Sequence, residues 1–252
     1  MAGLICGAGE SALGEETGAP CEKRLYQSSR GETLPYRLLS PLKIDAGQKY
    51  PLVLFLHGAG ERGGDNEAQL RHVMPELAEP VLRERYPAFV IAPQCPENQQ
   101  WVDIPWTAKK HTMPESPSPS LQLVRELLHS ISSELPIDPD RVYVTGLSMG
   151  GFGAWDLLQR DPGPFAGAVI ICGGGDPAFA SRLKNVPVWV FHGDQDTVVM
   201  PERSRDMIQA IRHQRGRPIY TEYPGVTHNS WEVTARNRLV WDWLFSQQRA
   251  SK

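Results

Sequence analysis

Ser148 stands between Gly146 and Gly150 in "TGLSMGG", the pattern G-x-S-x-G. A serine hydroxyl is a weak nucleophile near neutral pH, so acyl transfer needs a base to take its proton and a carboxylate to orient that base. Where such a serine sits on a strand-to-helix elbow, the acid and then the histidine follow it along the chain. Three histidines do so: His192, His213 and His228. His192 closes a strand-like run and His213 lies in a basic amphipathic segment. His228, in "YPGVTHNSW", falls in a loop between an apparent strand and the last helix, which is where a base reaching back to the serine belongs. Three aspartates compete for the acid, Asp194 and Asp196 in "FHGDQDTVV" and Asp176 in "GGGDP". Each follows a strand-like run, and spacing alone does not choose, because aspartates also serve as turn and cap residues.

Attack on a carbonyl creates an oxyanion that needs two preorganised N–H donors. One comes from the residue after the nucleophile, Met149, and the other from an earlier strand-end loop. "LFLHGAGERGG" supplies that loop, with Gly58 and Gly60 permitting close approach and Ala59 between them as the expected donor. The same glycines do not make a dinucleotide site. No helix-forming run follows "GAGERG", and no acidic residue ends the next strand.

The elements that must position these residues are legible as apolar runs. "YPLVLFLHG" (50–58), "AFVIAPQ" (88–94), "RVYVTG" (141–146), "FAGAVIICG" (165–173) and "VPVWVFHG" (186–193) lack alternation, as strands covered on both faces do. "IYTEYP" reads as a further strand, and "KRLYQSSRGETLPYRLLSP" as an entering hairpin around "SSRGE". Helices are expected over 118–135, 150–162, 202–216 and 235–248. The first is capped by Ser118 with Pro119 at its first position and stopped by Pro136. The last is expected to place Leu239, Trp243 and Leu244 on or near one face. This alternation predicts an α/β fold with a doubly wound sheet, in one domain over 21–252 preceded by a loose, glycine-rich tail over 1–20.

With 252 residues, 40% hydrophobic and 22% charged, and a net charge of −3, the chain suits one α/β domain burying about 70% of its unfolded surface. Basic residues are scattered, which argues against nucleic acid. The longest apolar stretch, "FAGAVIIC", is far below the roughly 18 residues of a membrane span. Four cysteines with no ligand-like spacing predict neither a disulfide scaffold nor a metal centre. Cys172 is expected to be a buried thiol, and pairing among Cys6, Cys21 and Cys95 is left open, as are compartment and oligomeric state.

"FLHGAGERG", "APQCPENQQW", "IDPDRVYVTGLSMGGFGAW", "VFHGDQDTVV" and "GVTHNSW" together resemble the α/β-hydrolase superfamily over about 22–246. Within it they are similar to the carboxylesterase branch of phospholipase/carboxylesterase-type enzymes, feruloyl-esterase-like proteins and sequences called predicted peptidases. The resemblance implies a mostly parallel sheet with an N-terminal antiparallel hairpin, the acid at Asp196 (the last residue of H-G-x-x-D), the base at His228, and oxyanion donors at Ala59 and Met149. It implies a serine carboxylesterase for small or medium esters, short-chain or feruloyl, that needs no metal or organic cofactor. A small peptidase or amidase of the same fold and a non-catalytic binding protein are the alternatives. The long, proline-rich segment 95–117 carries Trp101 and Trp106, which either line the substrate cleft or pin the loop to the body. Trp231, three residues after His228, either lines the leaving-group side or packs the last helix. The length leaves no room for a lid domain, which favours small soluble esters.

Overall fold

The computed structural model describes residues 21–249; the tail over 1–20, with Cys6, lies outside them. Two strands, β1 (Cys21–Gln27) and β2 (Thr33–Leu39), form the expected hairpin, turned at Gly31, whose φ of 82° suits glycine. β3 (Tyr50–Leu56) follows, then two six-residue helices, α1 (Val73–Ala78) and α2 (Pro80–Arg85). Neither helix is visible as sequence periodicity, because six residues make fewer than two turns. After them come β4 (Phe89–Pro93), α3 (Pro119–Glu134), β5 (Ile137–Leu147) and α4 (Met149–Arg160). The chain ends through β6 (Gly167–Ile171), β7 (Val188–Gly193), α5 (Glu202–His213), β8 (Ile219–Tyr223), α6 (Trp231–Arg236) and α7 (Arg238–Ser246).

These strands make one eight-stranded sheet in the order β1-β2-β4-β3-β5-β6-β7-β8. The first two pairings are antiparallel, and every pairing from β4·β3 to β7·β8 is parallel. The fold is the α/β-hydrolase fold expected from the sequence. All residues of β3, β4 and β6 are buried, whereas the edge strand β1 mostly faces outward. Alternate β3 side chains feed two cores. Leu52, Leu54 and Leu56 pack with α3, α4 and α5, while Val53 and Phe55 pack with α1, α6 and α7. Each such buried side chain contributes about 1.5–3 kcal/mol relative to its exposed state.

Ser118 caps α3 as expected, its Oγ accepting from Leu121 N at 3.1 Å. β5 begins four residues before the expected strand, through an irregular segment containing Pro139, which pairs with β3 only at Tyr50↔Ile137 before the register shifts. The single last helix expected over 235–248 is corrected to two. Asn237 leaves the helical conformation and its side chain accepts from Leu239 N, starting α7 afresh. The buried face of α7 is therefore Val240, Trp241 and Leu244, and Leu239 is 66% exposed. Cys21, Cys95 and Cys172 are buried free thiols.

Candidate active site

Ser148 occupies the turn from β5 into α4 with φ 50° and ψ −118°, a conformation that costs a non-glycine residue on the order of 1–3 kcal/mol. Its neighbours make that turn possible. A Cβ at Gly146 would run into the Gly150 carbonyl, and one at Gly150 into the carbonyls of Leu56 and His57. Gly146 thus lets α4 turn back against β5 and Gly150 lets the elbow approach the end of β3, and Oγ is held at the carboxyl edge of the sheet.

The three remaining parts converge there from distant segments. His228 Nε2 lies 2.9 Å from Ser148 Oγ, and its Nδ1 lies 2.7 Å from Asp196 Oδ2. The other Asp196 oxygen accepts from the N–H groups of Val198 (2.9 Å) and Val199 (3.0 Å). Burial of Asp196 would raise its pKa, but hydrogen bonds from His192, His228 and Val199 outweigh that and hold it well below the usual carboxylate range. It is a fixed negative charge facing the imidazole. The competing aspartates are committed elsewhere: Asp194 Oδ1 accepts from Gly225 N (2.7 Å), and Asp176 accepts from Met113 N (2.9 Å) and Ala178 N (3.0 Å).

The two expected oxyanion donors each open a helical turn next to the elbow. Met149 is the first residue of α4, and Ala59 opens a single 3-10 turn, Ala59–Glu61; neither start has a side-chain cap, so their N–H groups belong to the free first-turn donors. A Cβ on Gly58 would lie 3.8 Å from the Ser148 Cβ, which brings the Ala59 loop against the elbow.

His57 and His192 support this arrangement, although the sequence reading gave neither a role. Buried His57 accepts from Cys95 N through Nε2 (2.9 Å), so Nδ1 carries the proton and donates to Gly58 O (2.6 Å). Burial lowers its pKa to about 4, leaving it neutral. His192 Nε2 faces two acceptors, Val199 O at 2.8 Å and Asp196 Oδ2 at 3.2 Å, and so carries a proton, while Nδ1 meets Ser204 Oγ at 2.7 Å. Their signals were the His of H-G-x-G and the His of H-G-x-x-D.

The tryptophans divide. Trp101 is fully buried and donates through Nε1 to His57 O (3.0 Å), so it pins the 95–117 loop beneath the site and does not line a cleft. Trp106 is half-buried and packs near Arg62, whose guanidinium lies 6.0 Å from the ring centre. Trp231 sets its ring edge-on to His228, with centroids 5.2 Å apart, and lies tilted against His72, with centroids 5.3 Å apart. Among the described residues, the His, Cys and carboxylate ligand atoms grouped closely enough for a metal ion are those of Cys172, Asp196 and His228, mutually within 4.8 Å. Two of the three already share a hydrogen, and burial pushes the Cys172 thiol far up, so the set favours proton chemistry over metal binding.

A family model described as phospholipase/carboxylesterase matches residues 43–237. Carboxylesterase SOBER1 of Arabidopsis thaliana is 24% identical over 70% of this chain and 82% of its own. A thermostable esterase of known structure is 38% identical with a TM-score of 0.85; the match covers 91% of this chain but spans 64% of that one. A ferulic acid esterase from Anaeromyces mucronatus, at 14% identity and TM-score 0.67, covers 90% of each chain and shares the fold. No helix among the described residues is long and apolar enough to cross a membrane.

Proposed function

Because this chain belongs to the phospholipase/carboxylesterase family and is a hydrolase of carboxylic esters, we propose that it works through an acyl-enzyme on Ser148. Oγ attacks the ester carbonyl carbon while its proton passes to His228 Nε2. Asp196 holds the resulting imidazolium, and the N–H groups of Ala59 and Met149 donate to the oxyanion. Collapse of the tetrahedral intermediate breaks the bond to the alcohol oxygen, which takes the proton from His228. Water then attacks the acyl-enzyme as His228 takes its proton, and that proton returns to Ser148 Oγ as the acid is released.

The observation that carries this reading is the unbroken line from Ser148 Oγ through His228 to Asp196, at 2.9 and 2.7 Å. Small or medium acyl groups are the proposed substrates, with Trp106 beside the Ala59 loop and Trp231 against His228 on the cleft walls. The test is kcat/KM for p-nitrophenyl esters of increasing chain length, methyl ferulate and a matched p-nitroanilide. Esters turned over with a burst of p-nitrophenol, and a much slower anilide, support the proposal. A faster anilide would make the enzyme an amidase, and turnover of neither would contradict both.

A further inference from the structure

Arg203, in the first turn of α5, is 4% exposed, and among the described residues it forms no ion pair. Its Nε is sealed from solvent without a hydrogen-bond partner. Nη2 donates to His111 Nδ1, and the guanidinium lies over the Phe152 ring, 5.2 Å from its centre. Gly174 is the surface on which it rests, where a Cβ would come within 3.0 Å of three Arg203 atoms. An arginine cannot escape burial by losing its proton, so a fixed positive charge sits here with no carboxylate in direct contact, Asp206 and Asp176 acting on it only from longer range.

The position is next to the chemistry. Phe152 donates its backbone N–H to Ser148 O (3.1 Å), so the residue whose ring lies under the guanidinium follows the nucleophile by one turn of α4. Ser204, the next residue after Arg203, is bonded to His192 and donates to Gly173 O (3.1 Å). The site lies outside the carboxyl ends of the strands, where open α/β sheets take their ligands. His111 comes from the 95–117 segment that crosses this edge. Since its Nδ1 accepts from Arg203, the ring bears its proton on Nε2, a second donor beside the cation.

We propose that Arg203 and His111 form an anion subsite for the far end of the acyl group, so that the preferred substrates are hemi-esters of dicarboxylic acids. A carboxylate placed there accepts from the guanidinium and the imidazole N–H and gives Arg203 the direct ion pair it lacks among the described residues. The inference rests on the esterase reading, and its test separates the two.

Wild-type kcat/KM is measured for monomethyl esters from succinate to pimelate, each against the neutral isostere carrying an isopropyl group in place of the carboxylate (methyl 5-methylhexanoate for monomethyl glutarate). A preference of about tenfold or more for one anionic ester, the worth of one charge-assisted hydrogen bond, is expected, with Arg203→Met reversing it. In parallel, calorimetric titration of the Ser148→Ala protein with the same hemi-esters shows binding that the neutral isosteres lack. A neutral preference at every chain length, or equal binding of both series, overturns the subsite. Failure to hydrolyse either series overturns the esterase reading instead, and the titration, which needs neither turnover nor an Arg203 variant, still decides the subsite.

Discussion

The imidazole Nε2 of His192 lies 3.2 Å from Oδ2 of Asp196, the same oxygen that His228 faces from the other side. His192 also bonds Val199 O and Ser204, and so ties the acid's loop to β7 and α5. It is a positioning residue in the proposed mechanism. His192→Ala should lower kcat about ten- to a hundredfold with little change in KM, as expected for loss of a buried hydrogen bond to a charged group. His192→Gln, which restores a donor near Nε2, should recover part of the loss. A variant with an unchanged kcat and only a lower melting temperature would make the contact purely structural.

The acid separates from its neighbour by two residues. Asp196→Asn should reduce kcat on the order of 10⁴-fold by allowing the wrong His228 tautomer. Asp194→Asn weakens only the bond from Gly225 N, worth about 1 kcal/mol of stability, and should leave kcat within about threefold. Comparable losses in both would reject Asp196 as the acid.

Stability should respond to acid through His57. Burial lowers its pKa to about 4, from about 6.5 when unfolded, so the unfolded chain takes up a proton first as pH falls. The contribution is complete above about pH 6.5 and is lost progressively toward pH 4, amounting to on the order of 3 kcal/mol. Urea unfolding midpoints at several values across this window should fall in wild type and fall less in His57→Asn. Parallel slopes in the two proteins would show that His57 is not the titrating group.

Trp101 and Trp106 should fail in different ways. Trp101→Ala empties a fully buried position and removes the bond to His57 O, which should cost about 3–5 kcal/mol of stability. Trp106→Ala should instead raise KM for longer acyl groups at nearly unchanged stability. A KM effect from Trp101→Phe, with stability intact, would return Trp101 to the cleft.

The sequence showed Ser148, its glycines and the strand and helix around it because those are local: an apolar run, a turn without Cβ atoms and an amphipathic stretch. The choice among Asp176, Asp194 and Asp196 was not local. All three follow strands, and what separates them is which groups from other segments reach each carboxylate. The motif resemblance named Asp196, but spacing alone did not. His57 and His192 were obscured for the same reason, since their partners, Cys95 N and Ser204, lie 38 and 12 residues away. The last helix misled because apolar periodicity runs through Asn237 without marking the cap that divides α6 from α7 and rotates the buried face to Val240, Trp241 and Leu244.

The central claim is that Ser148 is the nucleophile, and kcat of Ser148→Ala toward a p-nitrophenyl ester tests it most directly. The account predicts a fall on the order of 10⁶-fold in a protein whose unfolding midpoint matches or exceeds wild type, because alanine keeps the strained turn without the hydroxyl. A folded Ser148→Ala protein retaining a tenth or more of wild-type kcat would contradict it.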